Sequence, residues 1–259
     1  MPLYDVIQQN IDKGRGAAAK VLGPPHDVYR ISANSNGNFF DGDNKIATAI
    51  PVLTKVAYGG GLRQALETER QQGIIWYEVI GDMRPFLIGD VFLNTDPIYG
   101  AGFTGVTFET KEFKGFALAD HSPIKKALAG RINQLVKIYR LSNVPDSKGR
   151  WDRTRENDDP VILQNGQFCL GQNGQEATQI PVGLISTGKS YGDRVLDSLP
   201  AEQRKSGWEL YMPALNGFKI REGDRIEASD GVRYVVIVPY TQYVGASGSQ
   251  WFLERENAS

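Results

Sequence analysis

The chain is poor in the residues most often used for chemistry. It holds one cysteine, Cys169, and two histidines, His26 and His121, among 259 residues. A single cysteine excludes an internal disulfide, and its expected place is that of a small buried hydrophobe. The two histidines lie in separate segments with no cysteine spacing beside them. That leaves no zinc pattern and little material for a Ser-His-Asp triad. His121 follows Asp120 where a helix cap is the ordinary reading. An excess of either charge is missing too, the formal net charge being −1. Nothing in the overall balance therefore asks for nucleic acid or for an acidic solvating chain. No apolar run approaches the ~18 residues that a membrane helix needs, so no membrane partner is expected. The opening MPLYDVIQQN has an early Asp5 and no apolar stretch, unlike a secretory signal. Folding in a reducing cytoplasm is the expectation.

What the chain has in quantity is glycine, 29 residues, which favours a turn-rich, strand-rich fold over a helical bundle. It also repeats itself. VYRIS at Val28–Ser32 returns as IYRLS at Ile138–Ser142, and ATAIPV at Ala47–Val52 returns as ATQIPV at Ala177–Val182. A looser set follows in the same order: Arg70 with Arg204, Gly73 with Gly207, Tyr77 with Tyr211, Gly89-Asp90 with Gly223-Asp224, and Asp96 with Asp230. Collinear pairs of this kind indicate a tandem duplication. The polar stretch SNVPDSKGRWDRTRENDDP, Ser142–Pro160, is the expected insertion in the second copy.

The organisation expected is an N-terminal docking helix in residues 1–27, a first β module in 28–135 and a second in 136–259. The fold class expected is mainly β: two tandem duplicated small β-barrel or sandwich modules with short helices. In the second module Phe218 and Ile220 alternate before Glu222-Gly223-Asp224. Asp230-Gly231 then separates RIEAS from the alternating Val232, Tyr234, Val236 and Val238, a hairpin signal. QWFLERE reads as a closing strand. The first module matches this with Gly89-Asp90 and the run GVTFETKEFKGFAL. Short helices are expected at Leu62–Gln72, Leu196–Lys205 and Ser122–Leu128. Before the modules, Leu3, Val6, Ile7, Ile11, Ala18, Val21 and Leu22 fall at helical spacing until Gly23-Pro24-Pro25 stops the helix. Gly14 and Gly16 weaken it by roughly 1 kcal/mol each. A helix this marginal needs a surface to lean on. The docking face would be Leu3, Val6, Ile7, Ile11, Val21 and Leu22.

GLISTGKS, Gly183–Ser190, fits the phosphate-loop pattern G-x-x-x-x-G-K-[S/T]. Its context argues against that chemistry. Gly192 falls in the first turn of the helix that should follow, and VRYVVIVPY downstream ends without a Mg²⁺-holding carboxylate. The first copy has LTKVAYGG at the same place. GAGFTG, Gly100–Gly105, leads into VTFET rather than into a helix N-terminus, so it reads as a loop. Asp41-Gly42-Asp43-Asn44 and Glu156-Asn157-Asp158-Asp159 lack a full calcium-loop pattern. Lys125, Lys126, Arg131 and Lys137 have no interleaved aromatics and read as a solvated face. No catalytic residue, cofactor or metal is expected.

The segment SGWELYMPALNGFKIREGDRIEASDGVRYVVIVPYTQ resembles the small β-barrel modules of tailed-bacteriophage head-to-tail connection proteins, the stopper or head-closure class. The features shared are an aliphatic strand, the turn and strand Gly223-Asp224-Arg225-Ile226, the hairpin at Asp230-Gly231, and Tyr234 with Val236. MPLYDVIQQNIDKG is also similar to the starts of phage structural proteins. The resemblance implies a virion protein without enzymatic activity, assembled in the host cytoplasm as a ring. Its neighbours would be portal, adaptor or tail proteins, with double-stranded DNA passing through without specific binding. Familiar stoppers have one module, and this chain reads as two. Other readings are a further phage tail or baseplate component, or a carbohydrate-binding β module using Trp76, Trp151 or Trp208. The near-equivalent places of Trp76 and Trp208 in the two copies favour a core role for both.

Overall fold

The computed structural model describes residues 14, 17–56, 76–81, 83, 85–98, 101–103, 106–114, 125–140, 158–172, 174–186, 207–245 and 248–256. Residues 17–22 are helical, and the Gly23 N–H donates to the Ala19 carbonyl at 2.9 Å as the helix ends. Gly23 is required here by close approach. A Cβ would lie 2.5 Å from the Ala19 oxygen and 2.7 Å from the Val52 nitrogen. The proline pair then carries the chain directly into the first strand.

The protein is mainly β and divides into two compact units. Among the described residues, the first runs up to Arg30 and from Lys45 to Ile132, and the second takes Ile31–Asn44 and everything from Asn133 onward. The first unit contains β1 (Pro25–Tyr29), β2 (Lys45–Pro51), β3 (Leu53–Val56), β4 (Trp76–Gly81), β5 (Val91–Asn94), β6 (Thr107–Lys114) and β7 (Lys125–Ile132). They form one sheet in the order β2-β1-β5-β6-β7-β4-β3. Its two end strands are neighbours in sequence, separated by the buried Val52 alone. The second unit contains β8 (Gln134–Arg140), β9 (Asp159–Gln164), β10 (Gln167–Leu170), β11 (Ile180–Ser186), β12 (Gly207–Met212), β13 (Arg225–Ala228), β14 (Arg233–Gly245) and β15 (Gly248–Arg255). Their order is β10-β9-β8-β11-β12-β15-β14-β13, and an additional β8–β13 pairing joins the end of that run back to β8.

The two units share one pattern of antiparallel ladders. β1–β2, β1–β5, β5–β6, β6–β7, β4–β7 and β3–β4 in the first match β8–β11, β8–β13, β13–β14, β14–β15, β12–β15 and β11–β12 in the second. The registers agree as well. Val28 opposite Phe92 corresponds to Ile138 opposite Ile226, and Phe92 opposite Phe108 to Ile226 opposite Tyr234. A β-bulge between Thr110 and Glu112 has its counterpart between Val236 and Val238. Register on this scale is set by which side chains face the core.

Two expectations are corrected. Lys125–Ile132 is a strand paired on both sides, with β4 and with β6, so the helix expected at Ser122–Leu128 is not formed over Lys125–Leu128. Ladders on both edges satisfy a backbone that local propensity alone would leave free to coil. Tyr77 also does not correspond to Tyr211. Val56 opposite Tyr77 matches Ser186 opposite Trp208, so Tyr77 corresponds to Trp208 and Ile80 to Tyr211. The expected helices at Leu62–Gln72 and Leu196–Lys205 lie outside the described residues.

The core of the first unit is aromatic. Phe92 stacks on Phe108 at 4.9 Å between ring centroids, and Phe86 meets Phe92 edge-on at 4.9 Å. Val28, Val52, Val79, Met83 and Ala129 close around them. The corresponding positions of the second unit hold Ile138, Val182, Leu210, Ile226, Tyr234 and Leu253, all buried.

Candidate functional site

The best-defined polar arrangement occurs twice, once per unit. Arg30, at the end of β1, reaches the Asp90 carboxylate with two parallel bonds, Nε to Oδ1 at 2.7 Å and Nη2 to Oδ2 at 2.6 Å. Asp90 follows Gly89, whose φ of 93° places it in the left-handed region. The carboxylate also accepts the Leu87 N–H at 2.8 Å, and Arg30 Nη2 donates to the Pro85 carbonyl. In the second unit Arg140 donates Nε to Asp224 Oδ1 at 2.9 Å and Nη2 to Oδ2 at 2.8 Å. Asp224 follows Gly223 at φ 86°, accepts the Arg221 N–H at 2.8 Å, and Arg140 Nη2 reaches the Lys219 carbonyl. The glycine N–H of each turn donates to the bulged strand, Gly89 to Thr110 and Gly223 to Val236, both at 2.8 Å. Each clip thus fastens the end of β1 or β8, a tight turn and a bulge at one point. Bidentate geometry gives such a pair directional strength. Asp90 raises the pKa of the Arg30 guanidinium through their hydrogen bond, burial opposing it. Both oxygens of each carboxylate, and the Nε and Nη2 of each guanidinium, are engaged within the clip, which is a structural arrangement. YRIS, YRLS and the two Gly-Asp turns were visible as repeats. That the Arg of each YR segment meets the Asp of the Gly-Asp turn in its own unit was not, because the two are 60 and 84 residues apart in sequence.

His26 is fully buried on β1 and lies against Phe108 at 5.4 Å between ring centroids. Its Nδ1 stands 2.9 Å from the Pro24 carbonyl and its Nε2 3.0 Å from the Val106 carbonyl. A neutral imidazole carries one N–H and can donate to only one of these acceptors. Burial pushes its pKa down, while the two carbonyls and Asp96 act the other way. The second unit has Val136 at this position, paired opposite Ala228 as His26 is opposite Asn94.

Of GLISTGKS, Gly183–Ser186 is the end of β11, each residue opposite one of β12 from Tyr211 to Trp208. A phosphate loop would have to turn here, whereas this backbone is extended in a ladder. The remaining four residues of the motif lie outside the described residues. Gly102 in GAGFTG sits in a turn, its N–H donating to the Asn94 carbonyl at 2.7 Å, and β6 follows. Asp41 accepts the Asn38 N–H at 3.0 Å, and Asn44 is held by the Asn38 and Phe39 carbonyls, closing that acidic turn on itself. Asp158 is buried and stands 3.8 Å from Arg225. Among the described residues no group of three or more His, Cys, Asp or Glu is placed to hold a metal. Lys137 pairs with Glu176 at 3.1 Å, and Lys125, Lys126 and Arg131 belong to β7. Trp208 packs against Tyr234 at 5.2 Å. Trp151 and His121 lie outside the described residues.

Of the docking residues expected on the N-terminal helix, Val21 and Leu22 are 81% and 71% exposed, while Ala19 is buried beside them. Leu3, Val6, Ile7 and Ile11 lie outside the described residues. No described helix is long and apolar enough to cross a membrane.

The β9–β10 hairpin is absent from the sequence-based expectation, although Asn165-Gly166 at its tip is a hairpin dipeptide. Both residues have positive φ, 49° and 71°. This hairpin and residues 31–44 are built together. The Gly37 N–H donates to the Leu163 carbonyl at 3.0 Å, the Gly166 N–H to the Ser35 carbonyl at 2.8 Å, and the Asn165 N–H to Asn36 Oδ1 at 3.0 Å.

Comparison of the chain with protein-family models, with curated proteins and with solved structures gives no match.

Proposed function

We propose that this chain is a non-enzymatic structural subunit of a tailed-bacteriophage virion, made by tandem duplication of one small β-barrel-like module. It forms a homo-oligomeric ring at the head-to-tail interface around the DNA channel. The observation that carries the reading is the pair of units with matching ladders, bulges and Arg-Asp clips. A closed ring repeats each surface once per chain. A chain with two like modules presents a surface nearly twice, so a ring on the order of six chains offers about twelve module positions. That suits a junction between a twelve-fold portal and a six-fold tail, the setting that the resemblance implies. Val21 and Leu22, apolar and exposed at the end of the N-terminal helix, are suited to docking on a portal, adaptor or tail protein. The near-neutral net charge fits DNA that passes without being held, because tightly bound phosphates would slow its transit.

The native mass of the full-length chain at tens of micromolar tests this reading. A closed ring on the order of six or twelve chains is the expected result. A monomer, unchanged when adjoining neck proteins are added, would overturn it.

A further inference from the structure

We propose that residues 31–44 are a built-in clasp, added to the edge of β9, without which the β9–β10 hairpin of the second unit does not stay folded. The proposal is independent of the ring reading above. The chain leaves the first unit after Arg30, contributes residues 31–44 to the second, and returns to the first at Lys45. Residues 30–44 join β1 to β2, as residues 141–179 join β8 to β11. These connections correspond, since the β1–β2 and β8–β11 ladders match, and the later one carries the β9–β10 hairpin on which the earlier one lies.

β9 outruns its neighbour. β8 pairs with it only through Tyr139 opposite Pro160 and Arg140 opposite Asp159, while β10 lines its other side from Val161 to Gln164. Beyond Pro160 the β8 side of β9 is taken by Thr178 and by the clasp. The Thr178 N–H donates to the Val161 carbonyl at 2.9 Å, and its Oγ1 accepts the Leu163 N–H at 2.8 Å and donates to the Gly37 carbonyl at 2.8 Å. The Gly37 N–H donates to the Leu163 carbonyl at 3.0 Å in an antiparallel bridge. One step further the Gly166 N–H reaches the Ser35 carbonyl at 2.8 Å, and the Asn165 N–H reaches Asn36 Oδ1 at 3.0 Å. Residues 35–37 thus run antiparallel to β9 as added backbone, the way an extended peptide augments a sheet edge. The fit at the hairpin tip is close. A Cβ on Gly166 would overlap the Ser32 carbonyl oxygen and lie 2.7 Å from the Ala33 Cα.

A surface connection ordinarily leaves its polar residues in solvent. This one buries Ser35 and Asn44 completely and leaves Phe39 only 2% exposed. The Asn44 amide donates to the Asn38 and Phe39 carbonyls, each at 3.1 Å, and its oxygen takes the Ser35 hydroxyl. Ser35 Oγ also accepts the Ser32 N–H at 2.7 Å. The clasp is therefore shaped by its own side chains. The hairpin beneath it depends on that shape. An isolated two-stranded hairpin is marginal in water, and buried groups stripped of their partners are costly. Thr178 shows the covering directly, being 3% exposed where its counterpart Thr48 in the first unit is exposed.

The test is native-state hydrogen exchange on the full-length chain with Gly37→Pro, and separately with Thr178→Val. Proline removes the N–H given to Leu163 and cannot adopt the φ of 78° found at Gly37. Valine keeps the shape of Thr178 and removes the hydroxyl that joins Leu163 to Gly37. With Gly37→Pro, amides across the whole hairpin, Val161–Leu170, should exchange together about tenfold faster or more. Thr178→Val should move the same amides together by a smaller factor. Amides of β12–β15 and of β4–β7 should stay near the parent in both. A change confined to Leu163, Asn165 and Gly166, the amides bonded to the altered groups, would overturn the proposal, because the hairpin would then stand without the clasp. If Gly37→Pro does not fold, Thr178→Val decides by the same two outcomes.

Discussion

The two units reach one ladder pattern with different interiors. The first is built on Phe86, Phe92 and Phe108 with a buried imidazole beside them, the second on Ile220, Ile226 and Tyr234 with Val136 where His26 stands. The Phe92–Phe108 ring stack of the first is replaced in the second by Ile226 opposite Tyr234. What persists is the face on which each apolar residue sits, the bulge after Thr110 or Val236, and the Arg-Asp clip. Cores tolerate exchange of apolar side chains when volume and face are kept. Directional polar geometry tolerates much less, because a lost partner leaves a buried charge uncompensated.

The largest expected effect comes from breaking the clips. Asp224→Ala should destabilise the second unit by about 3–4 kcal/mol. Asp90→Ala should cost the first about 2–3 kcal/mol, less because a third of the Arg30 side chain remains in solvent. Urea denaturation of each variant measures both. Equal and negligible losses would mean that the clips are incidental to the shared fold.

Gly23→Ala should come next. Its Cβ would meet backbone atoms of Ala19 and Val52 at less than 3 Å, and backbone cannot swing aside as a side chain can. Separation of the helix end from β1 should cost about 2 kcal/mol, seen as faster exchange of the Gly23 and Val52 amides with the second unit unaffected. Changes spread evenly over both units would contradict that localisation.

The smallest effect concerns His26. Its folded pKa is depressed by burial, so the unfolded chain binds the proton more readily. Stability of the first unit should be full above the ordinary histidine value and fall as pH drops below it. His26→Val, which installs the residue of the second unit, should flatten that decline by about 1 kcal/mol between pH 7.5 and 5.5. Denaturation midpoints across that range check it; parallel curves for parent and variant would show that the ring nitrogens do not titrate with folding. Asp27 works in the acid range. Burial acts to raise its pKa, but Lys45 and the Ala49 N–H outweigh that and hold it low, so its contribution disappears only as pH falls through the carboxylate range.

Much of this is legible in the amino-acid sequence. The β-rich class followed from glycine content and alternation, the turns from Gly89-Asp90, Gly223-Asp224 and Asp230-Gly231, and the helix stop from Gly23-Pro24-Pro25. All of these are local, depending on φ preferences and on which face of a strand is apolar. Strand Lys125–Ile132 could not be read this way. Its lysines, alanines and glycine have little strand preference, and neighbours on both sides impose the conformation.

The exposed Val21 and Leu22 were legible as apolar positions on a helix. The open edge of β2 was not, because its sequence is nearly that of the buried Ala177–Val182. By itself the sequence determined the strand-rich class, the turns and the repeated order of segments, since these follow from residue type and short-range periodicity. Only the tertiary structure decided which repeated segments pair, that Arg30 meets Asp90 as Arg140 meets Asp224, and which copy of the shared peptide is covered. Those depend on contacts between residues distant in the chain, and one peptide is buried or open according to what the rest of the chain lays beside it.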